Sequence, residues 1–317
     1  MRSLSPSFVA SLKNGLLSHI LQRVKNDATL DLEIRNNWLN IYYRGGNLCS
    51  IKEKTAGVYE FGFNEKYTHA LDSADSQRWN AVEVGLQVRV TDLATVNVWL
   101  DAFPHIKFVM DLWFGKHPKL EREFQQLMAR ENNSVKDFSS DYFICDIEYA
   151  NKKARARFDA LAVHWPSIGS ERKRGSDRRL AIIEMKYGDG ALKNPSGIKK
   201  HLEDANSACG DPNRLMQIKS DAQSCFNQKR DLNLIKDAKR GLESFSDEKP
   251  ELIFVFAAHD PESTTLKDEL NAVSELDFKH IDIKVAVSTF SGYGLFEQNI
   301  YSLADFKKSF QSQISAS

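Results

Sequence analysis

The chain has 317 residues, 42% hydrophobic and 27% charged, and its 43 basic and 43 acidic side chains cancel to a formal net charge of zero. This is the composition of a globular protein with room for one large or two ordinary domains, and its overall charge points to no polyanion partner. No leader precedes the first element and no apolar run approaches about 18 residues, so a cytoplasmic chain without a membrane partner is expected.

Residues 7–26 carry Phe8, Leu12, Leu16, Ile20 and Val24 at four-residue spacing, which predicts a first helix. Alternating strands follow at Leu30–Ile34, Trp38–Tyr43, Leu48–Lys54 and Val58–Phe63, separated by Asn36-Asn37 and Gly45-Gly46-Asn47 turns. The aromatics Trp38, Tyr42, Tyr43, Tyr59, Phe61 and Phe63 suit half-buried sheet positions better than a base-stacking platform. This helix plus β-rich module is expected to occupy residues 1–90, with a second domain over 91–317. Residues 92–114 read as helix interrupted near Pro104, and His117-Pro118 opens another helix running to about Arg130. Strands are predicted at Tyr142–Ala150, Ala154–His164 and Leu180–Tyr187. A short helix follows at Ile198, Leu202 and Ala205, and Asp211-Pro212 begins a longer one. Leu252–Ala258 and Ile281–Phe290 are two further strands, and a last helix lies near 303–310. The second domain is therefore α/β, with a mixed central sheet flanked by helices.

The four cysteines, Cys49, Cys145, Cys209 and Cys225, show no C-x-x-C spacing and read as buried reduced thiols. The eight histidines show no metal-binding spacing.

The chemistry concentrates in Leu180–Lys186, Leu-Ala-Ile-Ile-Glu-Met-Lys. In a strand Glu184 and Lys186 share one face, and charges in an apolar strand are costly unless paired or bound to metal. Asp159 interrupts the preceding apolar strand, and Glu121 begins the helix before the sheet. Two or three carboxylates at one point are what Mg²⁺ needs, and a nearby amine can orient the nucleophile. Residues 151–200 hold thirteen Lys/Arg against five Asp/Glu. Of these, Arg155, Arg157, Arg172, Lys173, Arg174, Arg178, Arg179, Lys193, Lys199 and Lys200 are candidates to grip phosphates.

Asp159 followed by Glu184-Met-Lys186 resembles the PD-(D/E)xK nuclease superfamily. Glu121-Arg122-Glu123-Phe124 resembles the glutamate helix of the archaeal Holliday-junction resolvases within it. The resemblance implies a restriction-endonuclease-like core of helix, three-strand meander, helix and strand over residues 116–260. It implies Mg²⁺-dependent (or Mn²⁺-dependent) hydrolysis of DNA phosphodiester bonds. Asp159, Glu184, Glu121 and the backbone carbonyl after Glu184 would hold the metal, and Lys186 would position the attacking water. The chain departs from the pattern in having Phe158, not Pro, before Asp159, and an extended polar loop before the Glu184 strand. Glutamines Gln217 and Gln223 lie where exonuclease-like branches place a site glutamine, but neither is followed by the tyrosine typical of those branches.

The expected activity is thus a metal-dependent deoxyribonuclease, of a kind found in phage defence and mobile-element biology. Cutting two strands takes two sites, which makes a homodimer plausible. The competing expectation is a nucleic-acid-binding or assembly module that keeps the nuclease fold without the activity.

Overall fold

The computed structural model describes residues 2–134, 140–193, 197–236, 238–258, 263–288, 295, 297 and 300–314. The chain divides into two compact units, residues 1–126 with 228–234, and residues 127–227 with 235–317.

In the first unit, α1 (Pro6–Asn14) and α2 (Ser18–Asn26) replace the single predicted helix. Gly15 is extended, and a Cβ there would sit 2.9 Å from the Ser11 Cα, so the chain breaks at the residue that loses most by staying helical. An antiparallel meander follows: β1 (Leu30–Ile34), β2 (Trp38–Tyr43), β3 (Gly46–Thr55), β4 (Val58–Gly62) and β5 (Arg89–Val90), paired in that order. Tyr42, Tyr59 and Phe61 are buried. Phe8 packs on Tyr59 at 5.2 Å and Trp99 on Phe61 at 5.4 Å, so these rings build a core and do not form an open stacking platform.

Sequence periodicity left α3 (Ser73–Glu83) unread, because Trp79 is its one buried residue. The predicted break at Pro104 does not occur: α4 (Leu93–Lys116) runs through it. A proline inside a helix costs about 3 kcal/mol, and α4 buries Trp99, Phe103, Ile106, Val109 and Met110 against that cost. This helix packs on α2, α3 and β3, so the first unit extends to residue 126 and not to the expected boundary near 90. The N-terminal half of α5 (Leu120–Ser134) belongs to it as well. Gly45, at φ 70°, allows that approach: a Cβ would lie 2.4 Å from the Arg122 backbone carbon.

The second unit is built on a six-stranded mixed sheet in the order β11-β10-β9-β8-β7-β6. These strands are β6 (Tyr142–Asn151), β7 (Ala156–His164), β8 (Arg179–Tyr187), β9 (Glu251–Ala257), β10 (Asp282–Ser288) and β11 (Ile300–Ser302). Strands β6, β7 and β8 form an antiparallel meander; β9 joins β8 in parallel after α6 (Ile198–Gly210) and α7 (Pro212–Asp231). Asp211 accepts the backbone N–H groups of Asn213 and Arg214, so the Asp-Pro signal starts α7 as read. Strand β10 pairs parallel with β9, β11 closes the edge antiparallel, and α8 (Thr265–Asn271) and α9 (Leu303–Ile314) complete the unit. Residues 289 and 290 of the expected 281–290 strand lie outside the described residues. The α/β class with a mixed sheet, preceded by a β-rich unit, is therefore the observed architecture. Among the described residues no helix is long and apolar enough to cross a membrane. All four cysteines are buried and unlinked.

Candidate active site

Strand β8 is apolar on both faces because it is central, with β7 on one side and β9 on the other. From Leu180 to Lys186 every residue is buried. The register pairs Leu161 with Ile182 and Ala160 with Ile183, and one step further Asp159 lies opposite Glu184. Directly opposite residues share a face, so Asp159, Glu184 and Lys186 project to the same side at the C-terminal end of β8. The Met185 backbone N–H donates to Asp159 Oδ2 at 2.8 Å, which fixes the Asp159 carboxylate against the strand.

Glu184 and Lys186 are 1% and 3% exposed, so both charges are held out of water. Burial, and next the Glu184 charge, push the Asp159 carboxyl up to about 7, while the Met185 N–H and the Lys186 ammonium pull it down. Two carboxylates this close cannot both ionise cheaply, and a divalent cation relieves the repulsion. Among the described residues no group of three or more His, Cys, Asp or Glu side chains is placed to hold a metal ion. The donor set fits Mg²⁺ or Mn²⁺ nonetheless, since Mg²⁺ keeps several waters and is held through one or two carboxylates plus substrate phosphate.

Because the folded state raises the Asp159 pKa, that carboxyl keeps its proton between about pH 4 and pH 7 while the unfolded chain has lost it. Its contribution to stability is fully present below pH 4 and is lost as pH rises through 7. Asp159→Asn is therefore expected to stabilise the metal-free protein at pH 8 by about 1–2 kcal/mol and to make no difference near pH 4. Thermal melts in EDTA at the two pH values check this; a variant that melts lower at pH 8 contradicts the proposed crowding.

His201 was missed. It lies in the first turns of α6, and its Nδ1 stands 3.0 Å from Glu184 Oε2. A lone histidine one turn into a helix carries no spacing signal, and only the packing of α6 on the sheet reveals it.

Glu121 is the remaining metal ligand that the resemblance implies. It sits in the first turn of α5, in the half of that helix that belongs to the first unit. There Glu123 is gripped by Arg44 at 2.9 Å, and Gln126 bonds the Gly45 N–H and the Thr29 and Tyr42 carbonyls. The glutamines lie elsewhere in the second unit. Gln217 donates to Asp221 Oδ1 at 3.0 Å, and Asp221 in turn accepts from Tyr149. Tyr149 pairs with Phe158, whose side chain points to the sheet face opposite Asp159. Gln223 bonds the Leu242 and Glu243 carbonyls.

The ten basic candidates separate by position. Arg155 lies just before β7 and Arg157 on it, both ahead of Asp159, and Lys193, Lys199 and Lys200 follow β8; all five are exposed and belong to the site's end of the sheet. The other five lie before or at the start of β8, at the far end. Arg172 bonds the Ser140 carbonyl and lies 4.3 Å over the Phe143 ring. Arg178 is buried, paired with Glu171 at 2.8 Å and set over Trp165. Arg174 faces Glu171 at 3.8 Å, and Lys173 is exposed beside it. Arg179 reaches Glu251 at 3.1 Å and Asp282 at 2.9 Å. Glu251 is buried; burial alone would raise its carboxyl, but His164, Arg179 and Tyr142 hold it below the usual range. Arg172, Arg178 and Arg179 are thus committed to the fold, a use that a run of charges in sequence does not disclose.

Comparison of the chain with protein-family models, with curated proteins and with solved structures finds no match.

Proposed function

We propose that this chain is a metal-dependent deoxyribonuclease of the PD-(D/E)xK kind, with a restriction-endonuclease-like core in its second unit. The observation that carries the reading is the meeting of Asp159, Glu184 and Lys186 on one face at the end of the central strand, where burial and then the Glu184 charge raise the Asp159 carboxyl. The order α5, β6, β7, β8, α6, α7, β9 supports it.

In this reading Asp159 and Glu184 hold Mg²⁺ or Mn²⁺, which would acidify a bound water and stabilise charge developing on the phosphodiester. Lys186, buried on the same face, orients the attacking water and offsets negative charge on the phosphate. Arg155, Arg157, Lys193, Lys199 and Lys200 lead the nucleic-acid backbone to the site. DNA is the proposed substrate, and phage defence or mobile-element biology the proposed setting.

The test is incubation of the purified chain with Mg²⁺ or Mn²⁺ and linear, circular and branched DNA, and RNA. Cleavage of DNA that stops on chelation is the expected result. If every substrate stays intact while the chain still binds DNA without metal, the fold serves binding or assembly and the enzymatic reading fails.

The positions of the basic residues add a second expectation. Replacing Arg157 and Lys199 by alanine should weaken DNA binding across sequences and shorten the log–log salt slope by about one per residue. Arg178→Ala should leave the slope unchanged and lower stability instead, because it removes the 2.8 Å partner of Glu171 and bares Trp165. Equal slopes for all three variants in a salt titration would count against this placement of the nucleic acid.

A further inference from the structure

The two carboxylates at the end of β8 are restrained by different parts of the second unit. Asp159 takes its hydrogen bond from the strand backbone, at Met185. Glu184 meets a side chain from a helix, with His201 Nδ1 at 3.0 Å from Oε2. The helix that delivers His201 is well anchored: Ile198, Leu202, Ala205 and Cys209 of α6 are buried in a stripe at helical spacing. His201 belongs to the turn that joins Ile198 to Leu202, and its own backbone N–H is bonded to Gly197. Its ring is 23% exposed, whereas the carboxylate it touches is 1% exposed.

We propose that His201 is a positioning residue for Glu184, holding its carboxylate in the orientation that takes up a divalent cation and so setting the affinity of the site for that ion. The proposal rests on the reading of Asp159 and Glu184 as ion ligands. A glutamate side chain has three rotatable bonds, and locking them costs rotamer entropy. A polar contact at 3.0 Å from a ring carried by a packed helix prepays part of that cost before the ion arrives. Outer partners of a metal-ligating side chain typically alter metal affinity ten- to a hundredfold. Asparagine is the conservative replacement, since its Nδ2 occupies nearly the place of the histidine Nδ1.

The experiment measures Mn²⁺ dissociation constants for the full chain without DNA, by the electron paramagnetic resonance signal of free Mn²⁺. His201→Ala is expected to bind Mn²⁺ ten- to a hundredfold more weakly, and His201→Asn to recover most of the loss, while metal-free DNA binding is the same in all three. A merely structural role would lower the melting temperature of both variants without this split in affinity. A wild-type chain that binds Mn²⁺ and a His201→Ala variant within twofold of it overturns this proposal alone, as does a His201→Asn variant no better than alanine. A wild-type chain that takes up no Mn²⁺ overturns the ion-site reading together with this proposal.

Discussion

Lys186→Ala is expected to reduce metal-dependent DNA cleavage by about 10²–10⁴-fold while leaving the fold and metal-free DNA binding in place. Lys186 is 3% exposed and shares a strand face with two carboxylates. Removing its ammonium takes away the group proposed to orient the water, and with it one of the influences that lower the Asp159 carboxyl. The variant should therefore hold its Asp159 proton to still higher pH, and a metal ion must compete with that proton. Lys186→Arg is not a rescue, because a planar guanidinium cannot occupy the space of a compact ammonium in a buried strand position. Asp159→Ala should match the loss. Single-turnover cleavage with circular dichroism as the fold control gives the measurement, and a Lys186→Ala enzyme retaining a tenth or more of the wild-type rate removes Lys186 from the chemistry.

Lys229→Ala should be among the most damaging single changes to stability, on the order of 3–5 kcal/mol. Lys229 and Glu33 are paired with side chains 2% and 0% exposed, and Arg35 stands 3.8 Å from the same carboxylate. The lysine comes from residues 228–234, which cluster with the first unit although the rest of α7 clusters with the second. Beside it, Gln228 bonds both the N–H and the carbonyl of Leu4. Truncating Lys229 leaves a carboxylate buried against a shortened partner set, and desolvation of that charge is then poorly offset. Replacing both members, Lys229→Met with Glu33→Leu, should recover most of the loss, since apolar pairs of similar volume often equal a buried ion pair. Guanidinium denaturation of the two variants reads this out; two units permit more than one transition, so the one carrying Lys229 must be resolved. A double variant as unstable as Lys229→Ala contradicts the account.

Strand β8 could be read from sequence because its cause is local. A continuous run of branched apolar residues has one stable environment, the middle of a covered sheet, and alternation of side chains then puts Glu184 and Lys186 together. Asp159 was legible for the same reason, as the acid that breaks an apolar strand. For Glu121, the motif around it says nothing about which unit claims the first turns of α5. Arg44 and the Gly45 turn, about 80 residues upstream of their partners on α5, decide that. Basic residues behaved alike: Arg157 and Arg178 look equivalent in the chain, but one is exposed beside Asp159 and the other lies buried between Glu171 and Trp165. Pro104 shows the reverse failure, a local rule outweighed by burial along the rest of α4.

Alone, the amino-acid sequence determined the α/β class of the second unit, five of its six strands, and the shared face of Glu184 and Lys186, all of which follow from side-chain periodicity within a few residues. Only the tertiary structure decided that Asp159 stands opposite Glu184, that His201 reaches the same carboxylate, that Glu121 belongs to the other unit, and which arginines are spent inside the fold. Those outcomes depend on strand register and helix packing between segments far apart in the chain, where the free energy lies in long-range burial and pairing that no local pattern encodes.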